Sequence, residues 1–276
     1  MVARFAVEDG KIVDTTGRQG LTRILFEKHF ILSEKIWFCH GQMPLFEQHI
    51  HILREKVGEL KLPYPKELLN PAEILRISKR LINKNKAYKS GLATLEFIWA
   101  GDVPHLVITC TPFSEQHFPF SGKGLLLSFA DIVKVSGNPL NKFDFFNAIF
   151  WETLEYRLQG GRYDGAIILN EKKAITESIN TNIFFIKDNI LYTPSLDTGC
   201  YIDATRSVVL TAAVMLGMKI VESARLSKKI ISDMDEAFLI AEDRGMLKVM
   251  GIEDRRFTHN VTTTINKKLN ELLLPE

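Results

Sequence analysis

The chain has 276 residues, with 35 Lys or Arg against 33 Asp or Glu, so its formal net charge is only +2. That balance removes the electrostatic argument for a dedicated nucleic-acid binder, and 46% hydrophobic with 25% charged residues excludes a disordered or fibrous chain. The length can bury a real core and suits either two modest domains or one large one.

The opening stretch, MVARFAVEDGK, carries acidic residues and no apolar h-region, so no secretory signal is expected. No uncharged apolar run approaches the ~18 residues needed to cross a bilayer. Residues 44–61 place Phe46, Ile50, Leu53, Val57 and Leu60 at helical spacing, and Pro63 and Pro65 stop the pattern; a helix is predicted. A second helix is expected over 73–85. Residues 91–112 alternate and are rich in β-formers, which predicts a strand pair. Around 112–123 the text turns to Pro, Gly and Ser with few periodic apolar positions. The predicted organisation is therefore an N-terminal α/β domain (1–116), a linker (117–123) and a C-terminal domain (124–276).

GLLLSFADIV then reads as a strand, and residues 141–158 read as a helix ended by Gly160 and Gly161. DGAIIL is a strand, and NIFFIK and ILYTP form a hairpin about Asp188-Asn189, where Asn accepts positive φ. Residues 203–217 predict a strong helix, with Asp203 as N-cap and Gly217 at its end. A strand KIVES, a helical stretch at 227–235, a strand AFLIA and a C-terminal helix over 262–274 complete the pattern. Cys39, Cys110 and Cys200 form no CxxC pair and are odd in number, against a disulfide framework or a thiolate metal site. A reducing cytoplasm is the expected setting.

Four constellations stand out. The start of the 203–217 helix offers backbone N–H groups and the Thr205 hydroxyl at the positive end of a dipole, a ready anion site; the ordinary reading is that Asp203 simply caps its own helix. Residues 176–182, TESINTN, concentrate polar groups between two β segments, either to aim a carboxylate into a pocket or as a plain solvated connection. Lys142 heads an apolar helix, KFDFFNAIFWETLEY, where a lysine can serve as a nucleophile, although most lysines are solvated surface charges. His49 and His51 would share a face only in a strand; a helix is predicted there, so no metal is expected. No GxGxxG, Walker, HExxH or GxSxG motif is present.

Taken in order, these elements resemble the fold-type IV pyridoxal-phosphate enzymes: branched-chain and D-amino-acid aminotransferases and 4-amino-4-deoxychorismate lyases. The stretch AITESINTNIFFIKDNILYTPSLDTGCYIDATRSVVLTAAVMLGMKIVE carries the likeness, with ISDMDEAFLIAEDRGMLKV after it. The match is good from about Ser121 onward and faint before it. The resemblance implies an α/β, two-domain D-amino-acid-aminotransferase-like fold, with a small N-terminal domain, a larger C-terminal pseudo-barrel, and pyridoxal 5'-phosphate in the cleft between them.

Position by position, the resemblance puts Lys142 where the family's lysine takes the cofactor aldehyde and Glu177 where a carboxylate pairs with the ring nitrogen. Ala204 and Thr205 match the backbone and hydroxyl that hold the phosphate. His51-Ile52-Leu53-Arg54 looks like the family's His-x-x-Arg helix, with Arg54 on the same phosphate; if His49 is aligned instead, no arginine fits. Three departures accompany these matches. Thr22-Arg23-Ile24 replaces Gly-Asp-Gly, the aromatic hydroxyl after the lysine is missing near Phe145, Phe146 and Asn147, and Glu242 and Asp243 follow FLIA where small or hydroxyl residues are common. The implied activity is 4-amino-4-deoxychorismate lyase, eliminating pyruvate to give 4-aminobenzoate. An aminotransferase for branched-chain or D-amino acids, and a diverged non-catalytic member, are the alternatives. A homodimer acting on an amino-acid-like substrate, with no nucleic-acid or membrane partner, is expected.

Overall fold

The computed structural model describes residues 4–15 and 30–274. The replacement at Thr22-Arg23-Ile24 lies outside the described residues. The chain divides into two units, Met1–Phe118 and Pro119–Glu276.

The first unit is built on β1 (Phe5–Glu8), β2 (Lys11–Asp14), β3 (Phe30–Cys39), β4 (Ser90–Ala100) and β5 (Val103–Phe113) in the order β2-β1-β5-β4-β3, antiparallel throughout. The expected strand pair is β4–β5, turned at Gly101 with φ 65°. Both expected helices form: α1 (Phe46–Glu59) and α2 (Pro71–Lys84), the latter with Pro at its first turn where the missing N–H costs nothing. β1, β2 and β3 lie outside the elements that the sequence pattern predicts. In β3 an inward position is taken by Glu34, which breaks the apolar alternation that marks a half-buried strand.

The second unit opens with β6 (Phe120–Lys134), so the expected 117–123 stretch is already strand from Phe120 onward. After it come α3 (Asp144–Leu158), β7 (Gly165–Asn170), β8 (Ile175–Ser178), β9 (Asn182–Lys187), β10 (Ile190–Pro194), α4 (Thr205–Met215) and β11 (Lys219–Ser223). The short α5 (Lys228–Ile231), β12 (Glu236–Ala241), β13 (Gly245–Ile252), β14 (Arg255–Arg256) and α6 (Asn260–Leu273) complete it. The sheet runs β11-β10-β9-β12-β13-β6-β7-β8, with β14 beside β13. β8, at one end of this path, joins β9 through a tight Ser178–Thr181 turn, so the sheet curls back on itself. β7, β9 and β12 are almost wholly buried, which explains their continuous apolar text. The β9–β10 hairpin turns on Asp188 and Asn189, both at positive φ, as its sequence predicts.

Two local features position the site. Between Phe129 and Val133 the pairing of β6 with β7 slips at a bulge, and beyond it alternation keeps Lys134 on the face where Ala130 and Ile132 pack with Trp151. Val133 is 54% exposed while its neighbour Lys134 is 5% exposed. Beyond β6, a single 3₁₀ turn (Pro139–Lys142) carries Lys142 to the start of α3, the Leu140 N–H donating to the Asn138 side chain.

Candidate active site

Glu177, on β8, is wholly buried, and both its oxygens are engaged. Lys134 Nζ donates to Oε2 at 2.8 Å, the Tyr201 backbone N–H donates to the same oxygen at 2.5 Å, and Trp151 Nε1 donates to Oε1 at 3.0 Å. Trp151 comes from α3 and stacks edge-on against Tyr201, ring centroids 5.0 Å apart. One residue on, the Ile202 N–H donates to the carbonyl of Lys142 at 3.1 Å. Successive amides of one short segment therefore hold Glu177 and the Lys142 backbone. The Lys142 ammonium lies 4.9 Å from the Phe143 ring centroid. Lys142 also lines an open cleft of about 440 Å³ with Asn138, Lys172, Gly199 and Cys200. Burial pushes the Cys200 thiol up.

The same segment continues into α4. Asn182 accepts the Asp203 N–H at 3.0 Å and donates to the Tyr201 carbonyl at 2.5 Å, which orders the polar TESINTN stretch as a scaffold for 201–203. Asp203 Oδ1 accepts the Thr205 N–H at 2.9 Å and also the Thr205 hydroxyl, while Oδ2 accepts the Glu242 N–H and the Tyr201 hydroxyl, each at 3.3 Å. Ala204 and Thr205 are buried at the start of this helix, and Glu242 is buried beside it. Arg206 points back, donating to Thr193 Oγ1, the Pro194 carbonyl and Glu222.

In the first unit, Arg54 stands on the exposed side of α1 and donates to the Leu68 carbonyl at 2.6 Å. His49, two residues from His51, is buried instead. Its Nδ1 lies 2.5 Å from Glu34 Oε2, and Lys56, 1% exposed and two turns further along α1, pairs with the other Glu34 oxygen. Burial alone would raise the Glu34 carboxyl, but the Lys56 ammonium and the His49 ring hold it below the usual carboxylate range.

Lys134, Trp151 and Tyr201 carry no motif that singles them out in the sequence. For Lys134 a signal was present: a cation set between Val133 and Val135 at the end of a strand. Among the described residues no three His, Cys, Asp or Glu side chains gather as a metal site, and no helix is long and apolar enough to cross a membrane.

Residues 32–252 match the family model for amino-transferase class IV. The chain belongs to that family, whose members are pyridoxal-phosphate-dependent enzymes. It is 30% identical over 118 residues to the branched-chain-amino-acid aminotransferase of Pseudomonas aeruginosa, covering 43% of this chain and 38% of that protein. It is 25% identical over 210 residues to the aminodeoxychorismate lyase of Bacillus subtilis, covering 71% and 68%. The chain thus spans well under half the length of the first of these relatives and about two thirds of the second. The crystal structure of a Thermobaculum terrenum branched-chain amino acid aminotransferase in its PLP form superposes with a TM-score of 0.85 at 16% identity, over 99% of this chain and 94% of that one. The Escherichia coli branched-chain aminotransferase gives 0.81 at 17%, over 96% and 92%. At such identities these two likenesses show the fold.

The residues fit the family's cofactor unevenly. Lys142, beside the open cleft, suits the aldehyde end, whereas Glu177, wholly buried with both oxygens bonded within the chain, would meet a ring nitrogen only by sharing the oxygens that Lys134, Tyr201 and Trp151 hold. The helix end does not suit a phosphate: the Asp203 carboxylate already accepts the Thr205 amide and hydroxyl that a phosphate would use.

Proposed function

We propose that the chain is a pyridoxal-phosphate-dependent enzyme acting on an amino-acid-like substrate, and specifically a 4-amino-4-deoxychorismate lyase that releases pyruvate to leave 4-aminobenzoate. The observation that supports this best is the pair of bonds Ile202 N–H to the Lys142 carbonyl and Tyr201 N–H to Glu177 Oε2, which set a lysine and a buried carboxylate on one segment. When bound, pyridoxal phosphate supplies an aldehyde for the substrate amine and a ring that spreads carbanion charge. With the cofactor bound, Lys142 would supply the amine for its aldehyde and the base that takes the proton from the amino-bearing carbon; the electron pair left there breaks the neighbouring carbon–oxygen bond as the substrate's ring becomes aromatic, and the proton passes to the enolpyruvyl group, which leaves as pyruvate. Glu177, Ala204, Thr205 and Arg54 are the residues proposed to position the cofactor, with Asp203 limiting the phosphate end.

The lyase relative's alignment over 71% of the chain supports this reaction. The second reading, a branched-chain or D-amino-acid aminotransferase, draws on the aminotransferase relatives. A third, a diverged ligand-binding member without catalysis, draws on the buried carboxylates Asp203 and Glu242. A homodimer in the cytoplasm, working in folate biosynthesis, completes the proposal. The dimer is supported by the outward apolar face of α3, where Phe146, Ile149 and Tyr156 are exposed. Incubation with aminodeoxychorismate should release pyruvate and 4-aminobenzoate in equal amounts; amino transfer to 2-oxoglutarate without pyruvate release would establish the second reading, and neither product the third.

A further inference from the structure

Helix N-termini attract anions because their first amides lack intrahelical partners and the helix dipole is positive there. On α4 these amides are already taken by one residue. The Thr205 N–H and hydroxyl donate to the Asp203 carboxylate, and the Arg206 N–H donates to the Asp203 carbonyl at 3.1 Å. The carboxylate is itself fixed from behind, by the Glu242 N–H and the Tyr201 hydroxyl on Oδ2 and by the Asp203 N–H on Asn182. Asp203 is 7% exposed and Glu242 2% exposed, so this negative charge is poorly screened by water. The nearest guanidinium on α4, Arg206, is directed to Thr193, Pro194 and Glu222.

We propose that Asp203 is a specificity-determining residue that occupies the anion seat of α4 from within, so that this protein gains little affinity from the phosphate of its cofactor. The inference rests on the proposed pyridoxal-phosphate chemistry and deepens it. A dianion brought to α4 meets a fixed carboxylate and amides already bonded to it. It must displace Asp203 or bind without the helix end. The Glu177 carboxylate and the Lys142 carbonyl meet this segment through the Tyr201 and Ile202 amides, not through the Thr205 amide and hydroxyl that Asp203 holds. Pyridoxal, which has the same aldehyde and ring without the phosphate, should therefore bind almost as well as the phosphorylated form.

The test uses the full chain, with binding of pyridoxal phosphate and of pyridoxal each followed by quenching of tryptophan fluorescence. Wild type should prefer the phosphorylated form by less than about 10-fold. Asp203→Asn keeps a side-chain oxygen for the Thr205 amide while removing the charge, and should tighten pyridoxal phosphate by about 10-fold or more with little change for pyridoxal. Asp203→Ser, a second uncharged cap, should behave alike, with far-ultraviolet circular dichroism verifying that both variants fold. A wild-type preference above about 100-fold overturns the proposal, as do folded variants in which the ratio of the two affinities does not move. Loss of fold in both variants leaves the wild-type ratio as the deciding result. Borohydride treatment separates this from the parent reading: a variant that gains affinity for pyridoxal phosphate yet retains no reduced adduct supports the Asp203 assignment and defeats the enzyme assignment.

Discussion

Lys134 and Glu177 form a buried ion pair, Nζ to Oε2 2.8 Å, with side chains 4% and 0% exposed. A carboxylate with no solvent to stabilise it needs the charge the lysine brings. The carboxylate that the family resemblance assigns to the cofactor ring is thus held by a cation of the chain itself.

Removing one partner of this pair should be costly, because the other charge stays buried. Lys134→Met is expected to lower unfolding free energy by about 3–5 kcal/mol, and the double change Lys134→Met with Glu177→Gln by less than that single change. Urea unfolding of the single and double variants checks this; additive losses would show that the two groups are energetically independent.

The Glu34 carboxyl, held below its ordinary value of 4.5 by Lys56 and His49 despite burial, makes the first unit acid-sensitive. A depressed folded value means the stabilisation is complete above pH 4.5 and disappears as pH falls below it through the folded value. Denaturant midpoints between about pH 6 and pH 3 should fall for wild type and flatten in Glu34→Gln, which itself starts lower by about 3–5 kcal/mol. An unchanged slope would show that Glu34 is not a source of the acid sensitivity.

Cys39, Cys110 and Cys200 are buried, and burial raises all three thiols above the usual cysteine value. The native protein should therefore react with a disulfide reagent at neutral pH far more slowly than the same protein in denaturant. Rapid modification of Cys200 in the folded state would mean that the cleft beside Lys142 opens more widely than its lining indicates.

Much of the second unit was legible in the sequence because its signals are local. The Asp188-Asn189 turn needs positive φ, and β7, β9 and β12 are continuous apolar runs between breakers. Lys142, Glu177 and Thr205 could be singled out by pattern and resemblance. What stayed hidden depends on three-dimensional compensation. Lys134 and Glu34 stand at inward positions of their strands, where a charge is tolerated only because partners distant in sequence meet it: Glu177 on β8 for Lys134, and His49 and Lys56 on α1 for Glu34. The anion site weighed at residues 203–206 was visible as chemistry, but whether Asp203 capped the helix or left it open was a matter of side-chain geometry.

Lys142 is the amine proposed to meet the cofactor. Borohydride reduction of the full chain with pyridoxal phosphate, followed by peptide mass spectrometry, should place the reduced cofactor on Lys142 and lose it in Lys142→Ala. An adduct on Lys134 instead, or none on Lys142, would contradict it.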